Sequence, residues 1–422
     1  MSEFKGKKLL LLGGKPIGSR EIVECAHAKG IHVTVADYLP KEQSPAKQIA
    51  DEDYDISTAE VDKLVEFVQE KQIDGIYSGV NEFNIRKMLA VCEKTELPCY
   101  CTRAQWDRME DKAQFKQICR DFGISVTKEY PVKGVEELSD CSQIAFPVIT
   151  KPVDGSGSRG FSICQNAKEL RTAYAKALSF SESGRVLIEQ YMDYRKSYIV
   201  NYTMVNGEVF YCGMSDKISK KYSENAGPIM AFQYYPSLAE EKYLSEIDEK
   251  AKRMLKSFGF HTCVFWIEVF DNHGDFVFNE MGMRFGGSLT YLPVQYFYGG
   301  NQLELMVDYA MKGAKHSEIK FERKTAVKPV YCIFPIHVKE GKIARLEGFE
   351  TMKAREEFLK IVLVHYIGDK IENWGSAQQV FAYLHFTADS REQADDFAKW
   401  IMQTLRIYDE NGEQLLFNLF VE

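Results

Sequence analysis

The ten cysteines contain no C-x-x-C spacing, no basic residues gather into a tract, and no apolar run is long enough to span a bilayer. Each absence excludes something. Only Cys99 and Cys101 lie close together. Scattered cysteines with mostly apolar flanks suit reduced thiols in a reducing compartment rather than a disulfide framework. A net charge of −8 and an isoelectric point of about 5.7 leave little to neutralise a phosphate backbone. Nucleic acid is therefore not expected as the main partner. Every long apolar stretch is broken by charge within about ten residues, which excludes a membrane span. The N-terminus, Met-Ser-Glu-Phe-Lys-Gly-Lys-Lys, runs straight into the strand Leu9–Leu12 without the apolar core of a secretion signal. A cytoplasmic location is the expectation. No internal repeat, low-complexity tract or Ser-His-Asp or Cys-His signature is present.

What is present is 422 residues, 45% of them hydrophobic, enough for roughly three domains of ~150 residues each. Residues 8–12 read as a buried strand, 13–18 as a glycine loop, 19–29 as an amphipathic helix and 31–36 as a second strand ending at Asp37. That order predicts a parallel sheet with covering helices. A helix over 59–72, capped by Thr58, leads to a strand at 75–78 that ends near Glu82. Ligands in such sheets bind beyond the carboxyl ends of the strands, where Gly13, Asp37 and Glu82 lie. Further on, Asp111–Phe122 reads as a helix, 166–179 and 239–258 as helices, and 186–190, 197–205, 208–214 and 263–270 as strands. The polar segment 216–236, with Lys217, Lys220 and Lys221, reads as a long loop. From about Val327 onward, alternating strands and helices predict an α+β closing domain. His261, His365 and His385 sit in apolar runs and read as core histidines.

Residues 147–164 are the most informative stretch. Apolar residues deliver Lys151, the turn Asp154-Gly155-Ser156-Gly157-Ser158-Arg159-Gly160 follows, and Phe161–Cys164 reads as a second strand. A dinucleotide fingerprint needs a helix after its glycines. A strand there makes a hairpin tip instead. Bare N–H groups at such a tip cradle phosphate oxygens, with Lys151 as a fixed positive charge. An ordinary surface hairpin is the other reading.

A second constellation lies at 263–288. The strands 264–270 and 276–280 flank Asp271-Asn272-His273-Gly274-Asp275. A three-residue loop ending in glycine would pair Asp271 with Asp275 and set Glu268 and Glu280 diagonally on one face, Cα atoms ~7–8 Å apart. Two buried carboxylates cost several kcal/mol each unless paired, and a divalent cation relieves that cost. Solvent-facing glutamates on an edge hairpin are the alternative. Arg284 follows Glu280 by four residues, and Gly286-Gly287-Ser288 leaves room for close approach to the backbone.

The order of these elements resembles the ATP-grasp superfamily over essentially the whole chain: Asp111-Lys112, Lys151-Pro152 with its glycine hairpin, Glu189-x-x-Met192, Glu268 and Glu280, and then Arg284. The tail, with Gly341-Lys342-Ile343 and Gly368-Asp369, is similar to that of biotin-carboxylase-like and L-amino-acid-ligase-like members. The resemblance implies a mixed α/β and α+β fold in three parts. These are a Rossmann-like domain over 1–104, a two-lobed ATP-grasp domain over 105–326 (lobes about 112–186 and 187–326), and an α+β domain over 327–422. It implies ATP and Mg2+ as cofactors. Lys112, Lys151 and the turn with Gly155, Ser156, Gly157, Ser158 and Gly160 would hold phosphates. Glu189, Gln190, Tyr191 and Met192 would meet the adenine, with Asp193 substituting for the acid that usually holds the ribose. Glu268 and Glu280 would bind magnesium, and Arg284 and Lys217 would serve catalysis. Glu82, Arg284, Gly286, Gly287 and Ser288 would meet substrate. The chain departs from the family in having Gly282 where an asparagine is usual, with Asn279 nearby, and Lys196-Ser197 near the usual ribose acid.

The implied reaction joins a small carboxylate to an amine through an acyl phosphate, with release of ADP and with no membrane or nucleic-acid partner. Such enzymes often form homodimers. A bicarbonate-using carboxylase or carbamoyl-phosphate-type enzyme, and a nucleotide-binding sensor without turnover, are the alternatives.

Overall fold

Leu9 to Leu12 are fully buried and form β1 (Lys8–Leu12) of a parallel sheet with β2 (His32–Ala36), β3 (Glu52–Tyr54) and β4 (Gly75–Tyr77), in the order β3-β2-β1-β4. The computed structural model describes residues 3–132, 134–153, 160–222, 228–372 and 377–420. Helices α1 (Ser19–Ala28), α2 (Val61–Lys71) and α3 (Glu82–Thr95) connect and follow these strands. The chain leaves β1 on one side and returns on the other at β4, so the switch point lies between them. Gly13 and Glu82 stand at that crevice. Glu82 opens α3 because the Asn81 side chain caps it, accepting from the Asn84 N–H at 3.0 Å. Thr58 does not cap α2: Glu60 precedes that helix, and the Thr58 hydroxyl donates instead to Asn84 Oδ1 at 2.9 Å. The glycine loop after β1 is already closed. Asp37 accepts from the N–H groups of Gly14 at 2.6 Å and Lys15 at 3.3 Å, the donors a phosphate would need.

Two helices, α4 (Arg103–Glu110) and α5 (Lys112–Asp121), lead into a small lobe. The Asp111 carboxylate caps α5 through the N–H groups of Ala113 and Gln114. The lobe holds β5 (Val148–Pro152), β6 (Ser162–Cys164) and β7 (Val186–Gln190), in the antiparallel order β6-β5-β7, backed by α6 (Ala167–Ser179). A strand follows the glycine turn, as the apolar run predicts. Gly160 takes φ +73°, where a side chain would be strained and crowded by Pro152. Gly155, Ser156, Gly157 and Ser158 lie outside the described residues.

The large lobe is built on β8 (Lys196–Val205), β9 (Glu208–Lys220), β10 (Ile229–Tyr235), β11 (Cys263–Asn272) and β12 (Asp275–Gly282). The expected loop over 216–236 is thus mostly strand. Its polar composition misleads because the polar groups satisfy one another inside the sheet. Buried Gln233 donates to Ser215 Oγ at 2.7 Å, and buried Asp216 pairs with Arg391 at 2.7 Å and accepts from Ser237 at 2.7 Å. The helix expected over 239–258 is two helices, α7 (Glu240–Glu246) and α8 (Asp248–Lys256), parted at Ile247. Next come α9 (Tyr291–Tyr298) and α10 (Gln302–Lys312). Tyr291, Phe297 and Tyr298 of α9 are core residues.

The last segment adds β13 (Val330–Val338), β14 (Gly341–Glu347), β15 (Phe358–Leu363), β16 (Lys370–Ile371), β17 (Val380–Ala388), β18 (Arg406–Asp409) and β19 (Leu416–Phe417), with helices over Phe349–Lys353 and Arg391–Thr404. It does not form a separate sheet throughout. β10 pairs antiparallel with β13, Gln233 opposite Ile333, so one sheet runs β12-β11-β8-β9-β10-β13-β17-β15 with β19 beside β13. The expected division at 326–327 falls between hydrogen-bonded neighbours of that sheet.

Candidate functional site

A cleft of about 340 Å3 lies between the two lobes and is lined by Lys112, Lys151, Lys217, Glu189, Glu268, Asn279 and Glu280, with Gln190, Tyr191 and Met192 at the strand end. Residues that stand far apart in sequence meet here, and each is placed by a regular element. Lys112 opens α5, Lys151 sits on β5, Glu189 on the adjacent β7, and Lys217 on β9 rather than on a solvated loop.

Glu268 and Glu280 are directly opposite in the β11–β12 ladder, not diagonal. Near the turn Asn272 pairs with Asp275, so the loop has two residues, His273 and Gly274, with φ +56° and +97°. This is the primed geometry that suits a tight hairpin. Continued unbroken, that register would set Glu268 opposite Asn279 and turn Glu280 to the other face. A bulge inserts one extra residue on β12 between the Val269–Phe278 and Glu268–Glu280 pairs. The bulge therefore brings the two carboxylates together, with Cα atoms about 4.5–5.5 Å apart.

Their environments differ. The Glu268 carboxylate accepts from Lys217 Nζ at 2.6 Å, from Asn279 Nδ2 at 2.7 Å and from Ser197 Oγ at 3.4 Å. Burial opposes its ionisation, but the Lys217 charge and these hydrogen bonds prevail and hold the carboxyl below its ordinary value. Burial likewise opposes the Lys217 ammonium, and Glu268 more than restores it. Glu280 is pushed up, first by burial and then by the Glu268 charge, against partial relief from Lys151, Lys112 and Lys217. One buried and one half-buried carboxylate at one spot, the second short of positive charge, fit a divalent cation: oxygen donors, two acidic ligands and room for phosphate.

At the other end of the cleft Glu189 is fully buried and bridges two lysines. Lys151 Nζ lies 2.7 Å from its Oε2, and the fully buried Lys116 bonds its Oε1. Burial raises the Glu189 carboxyl, and the two ammonium charges outweigh it and hold it low. Lys112 is held below its ordinary value by burial and by Lys151 nearby, and it donates to the Val153 carbonyl at 3.3 Å. The Glu189 carboxylate positions these two lysines, and it lines the cleft together with Gln190, Tyr191 and Met192 at the strand end. Asp193 is paired with Arg195 at 2.6 Å, and its neighbour Tyr194 lines the cleft.

Arg284 lies beyond the cleft, toward the front domain, where its Nη2 donates to Glu82 Oε1 at 2.8 Å. Phe285 and Leu289 pack against Gly18, and the loop between them holds Gly286, Gly287 and Ser288. Gly286 is anchored through Thr290 Oγ1 at 2.8 Å, whereas a Cβ on Gly287 would meet open space. Lys116, and the bulge that turns Asn279 into the cleft, escaped the sequence reading. A lysine four residues after Lys112 on the buried face of α5 was the available signal for the first; a bulge leaves none. Of the three histidines expected in the core only His385 is buried, against Tyr331 Oη at 2.9 Å; His261, bonded to Thr262 at 3.0 Å, and His365, in contact with the Gln378 carbonyl at 2.8 Å, are half-exposed because each sits at an element's end.

Residues 111–288 match the family described as carbamoyl-phosphate synthase L chain, ATP binding domain. The chain is similar to the formate-dependent phosphoribosylglycinamide formyltransferase of Bacteroides fragilis, 26% identical over 285 residues, covering 66% of this chain and 70% of that protein. Among solved structures, an L-amino acid ligase from Bacillus licheniformis superposes with a TM-score of 0.75 at 19% identity, over 96% of this chain and 100% of that one. The biotin carboxylase domain of the Hydrogenobacter thermophilus 2-oxoglutarate carboxylase, in complex with MgADP and bicarbonate, gives 0.76 at 19% identity over 97% and 91%. No helix among the described residues is long and apolar enough to cross a membrane.

Proposed function

We propose, from the match of residues 111–288 to an ATP-binding domain family, that the chain is an ADP-forming carboxylate–amine ligase of the ATP-grasp type using Mg-ATP. The observation that carries this reading is the direct pairing of Glu268 with Glu280 in a cleft that also receives Lys112, Lys151 and Lys217. Magnesium, when bound by those glutamates, would neutralise charge on the phosphoryl oxygens. The lysines hold the phosphates and share that charge, which is most of what phosphoryl transfer asks of a protein. A carboxylate oxygen of the substrate attacks the γ-phosphorus, and the bond to ADP breaks. The amine nitrogen then attacks the acyl carbon, the carbon–oxygen bond to phosphate breaks, and the amine's proton leaves with phosphate or solvent.

Glu82, Arg284 and the 286–288 loop stand between the front domain and the metal ligands, a position suited to the organic substrate. An arginine fork matches a carboxylate, and Glu82 matches a cationic amine. All ten cysteines are free thiols, which supports a reducing cytoplasm as the working compartment. A homodimer is part of the same proposal and rests on the likeness to a biotin carboxylase solved as a dimer.

The test is an ADP-release screen with acids and amines offered in pairs, run with hydroxylamine to trap an acyl phosphate. A hydroxamate formed from one acid, and an amide when its amine is present, is the expected result. ADP release that requires bicarbonate and no organic acid would move the enzyme to the carboxylase class. Tight Mg-ATP binding with no turnover in any pair would leave only a sensor.

A further inference from the structure

We propose that the Asn279 carboxamide oxygen is a third protein oxygen for the cation held by Glu268 and Glu280; this rests on the metal reading of that pair. Asn279 is the inserted residue of the β12 bulge, between Phe278 and Glu280 in a ladder that gives it no partner of its own. A bulge sets two consecutive side chains against one, which is how Asn279 and Glu280 both reach the cleft. In a regular strand they would point to opposite faces.

The amide is fixed. Its Nδ2–H donates to Glu268 Oε2 at 2.7 Å, and only the nitrogen end can donate to a carboxylate, so Oδ1 is the end left for another partner. A neutral oxygen adds a donor to the cation without adding a third negative charge beside Glu268 and Glu280, which face each other across the ladder.

The neighbouring place for such a group is closed. Gly282 is cross-strand from Trp266, and a Cβ there would stand 2.2 Å from the indole Nε1. No side chain fits at 282 while Trp266 keeps its position. The indole and the bulge are therefore two halves of one exchange: Trp266 fills the space beside the carboxylates, and Asn279 supplies the amide from the strand's extra residue.

The experiment measures Mn2+ binding to the full-length protein with ADP, by electron paramagnetic resonance, for the wild type, N279A and N279D. Wild type without an ADP-dependent Mn2+ site would overturn the metal reading itself, and the Asn279 proposal with it. Given a wild-type site, N279A is expected to weaken Mn2+ roughly ten-fold while leaving metal-free ADP affinity unchanged. N279D, which keeps an oxygen at the same reach, is expected to bind Mn2+ at least as tightly as N279A. A residue that only orients Glu268 through its N–H predicts the reverse, because a third carboxylate would repel Glu268 and nothing would replace the lost donor. Unchanged Mn2+ affinity in N279A, or weaker binding in N279D than in N279A, overturns the proposal. Thermal melts confirm folding. If N279A does not fold, N279D decides against wild type, with an affinity loss of ten-fold or more counting against the oxygen's role.

Discussion

The Arg284 guanidinium, on the large lobe, donates to the Glu82 carboxylate of the front domain at 2.8 Å, across 202 positions of sequence. Arg284 also lies over the Trp266 ring, 5.3 Å from its centroid, and donates to the Phe285 carbonyl at 3.2 Å. The pair joins the switch-point crevice of one sheet to the end of the strand of another that carries Glu280.

E82Q removes the charge and keeps the shape. It is expected to raise KM for the organic substrate by roughly ten-fold or more, the scale of a lost charge-assisted hydrogen bond, with KM for ATP unchanged. Steady-state kinetics with each substrate varied in turn check this.

E280Q is expected to abolish turnover and also to raise the thermal midpoint by a few degrees near neutral pH. The carboxyl is held above its ordinary value by burial and by Glu268. The folded state therefore binds its proton more readily than the unfolded chain, and the ionised form lowers stability above the ordinary carboxylate range. Differential scanning calorimetry of the metal-free protein measures the shift, which should shrink as the pH is lowered.

K116M leaves the buried Glu189 with Lys151 as its one direct ammonium partner, and it is expected to cost about 3 kcal/mol, as breaking a buried pair does. K116M/E189L removes both charges and should recover part of that loss. K151A should instead raise KM for ATP steeply with a smaller loss of stability. Urea unfolding and nucleotide titration separate the two lysines.

His337 and His385 are buried, and burial lowers them to about 4 and about 3. Below an ordinary value of about 6.5 the unfolded chain takes up protons that the folded chain refuses. Each histidine thus lowers stability by about 2 kcal/mol between pH 6.5 and 5. The loss of unfolding midpoint on acidification should be smaller in H337Q and H385Q than in wild type.

G282A would set a methyl group against the Trp266 indole and is expected to destabilise by about 1–3 kcal/mol, as overpacking does. W266F/G282A, with a smaller ring opposite, should recover much of the lost thermal midpoint.

Much of this fold was legible because burial leaves a periodic trace. The strand Leu9–Leu12, the Asp111 cap of α5 and the strand after the glycine turn follow from apolar spacing and capping chemistry alone. The cleft was legible through its charges, since Lys112, Lys151, Glu268 and Glu280 are costly to bury without a purpose. What stayed hidden depends on partners distant in sequence. β10 looked like a loop because Gln233 and Asp216 find their partners only after the sheet forms. The hairpin register differs from the expected one because its loop has two residues rather than three and because a bulge at Asn279 has no compositional mark. The buried bridge from Lys116 to Glu189 spans 73 positions, beyond the reach of any local pattern.

The shared sheet makes truncation hazardous. A chain ending at residue 326 would strip β13 from β10 and leave an unpatched row of peptide groups beside Phe232 and Tyr234. Such a bare apolar rim invites self-association. The last hundred residues are therefore stitched to the large lobe by backbone hydrogen bonds, and a cut before them would open the sheet in its middle.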